Sequence, residues 1–269
     1  MNHSFNPKVA VVRNLPNSFA DCLKMNAPLN PIQVSVAQSQ HRHYIQTLKS
    51  LGLNTIVIPA DETLPDCCFI EDTAVVIGNK AAISYLGATA RRGEEILIQK
   101  ELQNLGLETF NIKAPGTLDG GDVLFTGKHL FVGLSSRTNE SGARQLAEIF
   151  TDFQLVTIPV EGSLHLKSVL SAFDQNTLLF GESASAKKIF QAFEEKFQLS
   201  QKYEIIFLPD DSAANVLTLG SHILIQDGFP KSEEILLDLA QRKNKKIIKI
   251  NMQELIKADG ALTCCSLLF

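Results

Sequence analysis

Two adjacent thiols, Cys264 and Cys265, lie in the closing stretch Asp259-Gly-Ala-Leu-Thr-Cys-Cys-Ser-Leu-Leu-Phe269. A thiol attacks an electrophile only as the thiolate, and a nearby histidine is the usual means of generating or pairing it. His165, in Ser163-Leu-His-Leu-Lys-Ser168, is the candidate partner. An acid bonded to that imidazole would fix its tautomer and stabilise the cation. Asp119, which opens the turn Asp119-Gly-Gly-Asp122, fits that part. The glycines allow tight backbone approach. No Gly-Lys-Ser/Thr follows them, so they are not a phosphate loop. Glu71-Asp72 is a second acidic pair, at the entry to an apolar strand. Two carboxylates in one pocket are costly unless a cation lies between them. Guanidinium matches a carboxylate through two parallel hydrogen bonds. Its carbon is a target for a thiolate once an acid such as His165 protonates the leaving nitrogen. The blander readings are acids that cap turns and a histidine satisfied in the core.

Elements far apart in the chain must bring these groups together. Lys8–Arg13 alternates like a strand, and 14–30 is a polar, proline-broken loop of the kind that often forms a lid. Helical patterns run over Val36–Leu51, Arg92–Leu105, Glu140–Phe150, Ser183–Phe197 and Ser232–Gln241. His41 and His43 fall on the first of these and read as solvated, because an i, i+2 pair does not share a face. Lys167 also reads as solvated or as a cap. The terminal thiols are expected on a strand, where alternation sends one to a cavity and the other to the core.

A rhythm connects the candidates. A turn leads into an apolar strand, then come a second strand, a helix and a third strand. The turn positions Asp72, Asp119, His165, Asn215 and Cys264 are separated by 47, 46, 50 and 49 residues. One supersecondary unit per period indicates a repeat architecture. A closed ring of β-β-α-β modules, forming a single α/β domain over 1–269, would place the five positions at a common hub.

Composition bounds the partners. The 269 residues are 45% hydrophobic and 20% charged, with a net charge of -4. That balance argues against a nucleic acid or an anionic membrane as partner. No apolar run reaches the roughly eighteen residues of a spanning helix, and no signal-peptide layout opens the chain. Five cysteines cannot all pair, and two sets are vicinal, unlike zinc-ligand spacing. A cytoplasmic protein with reduced thiols and no metal is expected.

The segments LPDCCFIEDTAVV (Leu64–Val76), TLDGGDVLFTG (Thr117–Gly127), FVGLSSRTN (Phe131–Asn139), LHLKS (Leu164–Ser168), PDDSAANVL (Pro209–Leu217) and DGALTCCS (Asp259–Ser266) together resemble the dimethylarginine dimethylaminohydrolase family. The resemblance runs from Val11 nearly to the carboxy terminus and implies a five-bladed α/β propeller, the pentein fold. It implies Cys264 as nucleophile, His165 as general acid and base, and Asp119 as its orienting acid. Glu71 and Asp72 would hold the guanidinium. Asp66 would hold the α-amino group, Arg91 and Arg137 would lie near the α-carboxylate, and Ala258 would offer backbone contacts. Leu23 or Lys24 falls where the family has a lid leucine. The implied substrate is a small molecule, Nω-methylated arginine, converted to citrulline without metal or organic cofactor. A homodimer is a possible assembly. The alternatives are deimination of free arginine, amidinotransfer, and a non-catalytic module that sequesters arginine derivatives. Known deiminases and amidinotransferases of this fold have longer chains.

Overall fold

The computed structural model describes residues 5–269. One plan builds five three-stranded sheets. β1 (Val9–Arg13) leads through α1 (Val34–Ser50) to β2 (Asn54–Ile58), which lies parallel to β1. β3 (Ala74–Ile77) then pairs antiparallel with β4 (Lys80–Ile83), and α2 (Glu94–Asn104) crosses over to β5 (Glu108–Asn111), parallel to β4. The third module repeats this with β6 (Val123–Phe125), β7 (His129–Leu134), α3 (Glu140–Ile149) and β8 (Gln154–Pro159). The fourth uses β9 (Leu170–Asp174), β10 (Thr177–Gly181), α4 (Ala184–Phe197) and β11 (Glu204–Leu208). The fifth uses β12 (Leu217–Leu219), β13 (His222–Gln226), α5 (Pro230–Arg242) and β14 (Lys246–Ile250). After a short α6 (Gln253–Ile256), β15 (Leu267–Leu268) pairs antiparallel with β1 and completes the first sheet. The ends of the chain thereby close the ring, as the periodicity and the resemblance predict.

Local chemistry explains the elements. The middle strands are covered on both faces and read as apolar runs, such as the buried Leu130-Phe131-Val132 and Ile223-Leu224-Ile225. Asn139 and Ser183 cap α3 and α4 through hydrogen bonds accepted from the N–H groups of Gly142 and Ala186. Pro230 opens α5 at the first helical position, where its missing N–H costs nothing.

Every inner strand is preceded by a 3₁₀ turn: Ile70–Thr73, Gly120–Asp122, Leu166–Ser168, Asp211–Ala214 and Thr263–Cys265. Two expectations change here. Cys264 and Cys265 stand on the last of these turns, not on a strand, because the strand begins only at Leu267. The two thiols still diverge: Cys264 is partly exposed, and Cys265 is fully buried with its Sγ 3.5 Å from the Ala261 carbonyl. His41 is buried, not solvated. The i, i+2 spacing splits the pair between faces, leaving His43 exposed and His41 beside Ala37, Tyr44 and Leu48 on the core side of α1. Burial lowers its pKa to about 4, so it sits there neutral.

Candidate active site

The 3₁₀ turns pack against one another in succession and deliver the five hub positions to one place. Glu71 and Asp72 lie within the first turn, Asp119 and His165 stand directly before the second and third, Asn215 follows the fourth, and Cys264 is in the fifth. His165 Nε2 is 3.1 Å from Asp119 Oδ2, and its Nδ1 is 3.9 Å from Asp72 Oδ1. Both glycines of the Asp119–Asp122 turn are required by close approach. A Cβ on Gly120 would lie 2.0 Å from the Glu71 carbonyl oxygen. One on Gly121 would lie 2.6 Å from His165 Nδ1 and 2.7 Å from Asp72 Oδ1. Gly121 also donates its N–H to Asp72 Oδ1 at 2.9 Å. Gly121→Ala is therefore expected to push imidazole and carboxylate apart and to lower kcat about 100-fold, the cost of roughly 1 Å of misplacement. Steady-state turnover beside a thermal melt separates that loss from unfolding.

The charges explain the resting state. Burial pulls the His165 pKa down, but Asp72, Asp122 and Asp119 outweigh it and lift the imidazole to about 9. The ring is thus a cation at neutral pH, able to give a proton. Burial works against the Asp72 carboxylate, yet His165 and Arg91 hold it well below the ordinary carboxylate range. Burial, with Glu71 and Asp72 beside it, drives the Cys264 thiol well above its ordinary value. A cation placed between those carboxylates and the sulfur would offset the carboxylates' share of that rise. Asp72, Asp119 and His165 bring ligand-type atoms within 4.8 Å of one another. To ligate a metal there, His165 would first have to give up its proton.

The acidic pair is already part-compensated. Lys167 Nζ donates to Glu71 Oε1 at 2.5 Å, and Thr263 Oγ1 donates to Glu71 Oε2 at 3.0 Å. Lys167 is therefore an ion-pair partner, neither solvated nor capping, because the turn after His165 points it at the first turn. Arg91 Nη1 donates to Asp72 Oδ2 at 2.6 Å, and its other nitrogens serve Glu94 and the Phe69 carbonyl. Its guanidinium is fully committed and buried. Arg137 Nη1 lies 3.5 Å from Asp119 Oδ2 and makes no hydrogen bond among the described residues.

The 14–30 loop reaches Asp66. Both carboxylate oxygens of Asp66 accept the Leu23 N–H at 3.2 Å, with the Leu23 side chain 39% exposed. Ala258 is buried, and Asp259 beside it accepts the Met25 N–H at 2.6 Å. This loop is thus tied by backbone donors to two carboxylates, Asp66 and Asp259. A cavity of about 700 Å³ runs along the inner strands, with Glu71, Lys167 and Thr263 at one end and Asn79, Phe125 and Phe153 among its other walls. Cys264, His165 and Asp66 do not line it.

Lys167, read from sequence as solvated or capping, and Thr263, Asp122 and Glu94, given no role there, are what sequence reasoning did not place in the site. The first three adjoin hub positions in the repeat, which is the signal that could have marked them. Asp122 accepts the Leu166 N–H at 2.9 Å and adds to the field that charges His165.

A family model described as N,N dimethylarginine dimethylhydrolase, eukaryotic, matches residues 18–267. The N(G),N(G)-dimethylarginine dimethylaminohydrolase of Pseudomonas aeruginosa is 31% identical over 267 residues, covering 97% of this chain and 99% of the relative. The structure of a mutant of the Pseudomonas aeruginosa protein complexed with citrulline matches with a TM-score of 0.88 at 30% identity, over 98% of this chain and 100% of that one. The N-terminal domain of ArgZ, a cyanobacterial arginine dihydrolase, matches with a TM-score of 0.82 at 17% identity, over 96% of this chain and 97% of that one, and shares the fold. Among the described residues no helix is long and apolar enough to cross a membrane.

Proposed function

The chain belongs to the dimethylarginine dimethylaminohydrolase family, and from that premise we propose that it hydrolyses Nω-methylated arginine to citrulline and methylamine or dimethylamine. The observation that carries the reading is an imidazole held between Asp119 and Asp72, directly before one turn of the same ring that presents Cys264 on another.

In this reading Glu71 and Asp72 take the guanidinium, and the bound cation offsets the negative field that keeps Cys264 protonated. The Cys264 thiol then loses its proton to solvent, and the thiolate attacks the guanidinium carbon, forming a C–S bond. His165 gives its proton to the methylated nitrogen as the C–N bond breaks, leaving a thiouronium-type intermediate on Cys264. The neutral imidazole takes a proton from water, the hydroxide adds to the same carbon, and the C–S bond breaks as the new hydroxyl gives up its proton, releasing citrulline and restoring the Cys264 thiol. Asp119 keeps the ring oriented through both halves. Asp66 and the backbone near Ala258 hold the α-amino end under the Leu23 lid. Arg137, with a nitrogen free of hydrogen bonds among the described residues, takes the α-carboxylate, while Arg91, engaged by Asp72, Glu94 and the Phe69 carbonyl, acts at the guanidinium end by holding Asp72 in place. These groups are the chain's own, and the reaction asks for no metal or organic cofactor. The reading includes a cytoplasmic setting, in keeping with five free cysteines, and light scattering checks the homodimer.

Dimethylarginine and arginine assayed in parallel, scored by citrulline and by the amine released, test the reading. Citrulline with dimethylamine is the expected result. Citrulline with ammonia from arginine alone would favour deimination. Binding of both without citrulline would favour the sequestering module.

A further inference from the structure

We propose that Asn215 and Thr263 are positioning residues that keep the Cys264 turn in register with the Glu71–Asp72 carboxylates. The inference rests on the hydrolase reading and adds to it a link that the nucleophile, the acid and the carboxylates do not supply. The side chain of Asn215, which follows the fourth turn, reaches across to the fifth. Asn215 is 1% exposed and uses its whole amide. Its Oδ1 accepts the Thr263 N–H at 3.0 Å, and its Nδ2 donates to the Lys167 carbonyl and to Thr263 Oγ1, each at 3.0 Å.

These partners leave the amide one orientation, because flipping it would set donor against donor and acceptor against acceptor. Thr263 Oγ1 accepts from the amide and so donates onward, to Glu71 Oε2 at 3.0 Å. The relay has one direction: amide to hydroxyl to carboxylate. The other Glu71 oxygen takes Lys167, whose own carbonyl is the one Asn215 holds. One amide thus anchors the residue before the nucleophile, the hydroxyl on Glu71, and the backbone of the lysine on Glu71. A buried network of this kind is little screened, and its members move together or not at all. Loss of the amide or the hydroxyl lets the sulfur-bearing turn drift relative to the carboxylates that seat the guanidinium.

Thr263→Val keeps the shape and the backbone N–H but removes the middle of the relay, and Asn215→Ala removes its source. Each is expected to lower kcat about 10- to 100-fold through misplacement, with a much smaller change in KM. The double variant is expected to lose no more than the worse single, since both act on one relay. Thr263→Ser restores the hydroxyl and is expected to recover most of the loss. Wild-type kcat in a folded Thr263→Val protein, or losses that multiply in the double variant, would overturn the proposal. Melting temperatures identify any variant that does not fold, and the remaining single variant then decides.

If the wild-type protein forms no citrulline, the hydrolase reading has failed and Cys264 alkylation by iodoacetamide, followed by peptide mass spectrometry, judges the clamp alone. With Glu71 released towards the sulfur, the pH midpoint of alkylation is expected to rise by about half a unit or more in Thr263→Val and to return in Thr263→Ser. An unmoved midpoint would reject the clamp.

Discussion

Serine at position 264 is expected to stop turnover, lowering kcat by at least about 10⁴-fold, the scale on which loss of a nucleophile shows itself, while methylarginine still binds. The hydroxyl is a far weaker nucleophile than a thiolate and needs a base to take its proton. His165 cannot be that base at neutral pH, since its neighbours hold it protonated up to about pH 9. A thiol, though raised by burial and by Glu71 and Asp72, ionises far more readily than a hydroxyl once a guanidinium offsets the carboxylates. Binding should survive because the contacts assigned to the guanidinium come from Glu71 and Asp72, on a different turn. Single-turnover citrulline formation measures the first half of the expectation and calorimetry with dimethylarginine the second. Citrulline that persists in Cys264→Ser, yet is lost in a folded Cys265→Ser protein, would hand the chemistry to the buried thiol.

The hub positions were legible because they recur. Asp72, Asp119, His165, Asn215 and Cys264 each stand where a turn feeds an inner strand, and a period near fifty is visible in any one chain. The conformation at the hub was less legible. Thr263-Cys264-Cys265 followed by Leu267 reads as the end of an apolar strand, but the chain must turn there to present a side chain towards the axis. That tertiary demand overrides the local pattern. His41 was misread for a related reason: the helix face it occupies is decided by what packs on α1, not by the spacing of two histidines. The pairings within the site leave no local trace at all. Lys167 finds Glu71 across 96 residues and Thr263 finds it across 192. The resemblance supplied candidate roles for Arg91, but nothing in the sequence shows that Asp72, Glu94 and a carbonyl fill its guanidinium.

Asp72→Asn carries the second large effect. Asparagine keeps an oxygen for the Gly121 N–H but loses the charge that would face the guanidinium, which a charge-assisted pair makes worth about 2–5 kcal/mol when one side is truncated. We expect kcat/KM for dimethylarginine to fall about 10²- to 10³-fold, within the range that cost spans. Breaking a buried ion pair ordinarily costs several kcal/mol of stability as well. Here three features soften that cost. Arg91 keeps Glu94 on two of its nitrogens, the repulsion between Glu71 and Asp72 disappears, and His165 is free to lose its proton. The melting temperature should therefore fall far less than the activity. The pH profile should move too, with a sign that follows from the charges. Asp72 is the first of the acids that raise the imidazole, so without it the His165 pKa drops. Because the departing amine needs that proton, the alkaline limb of kcat should shift to lower pH in the variant. A limb that stays in place while kcat/KM falls would mean that Asp72 serves only to bind. A collapse of the melt in step with activity would mean that it serves only to hold the ring of turns together.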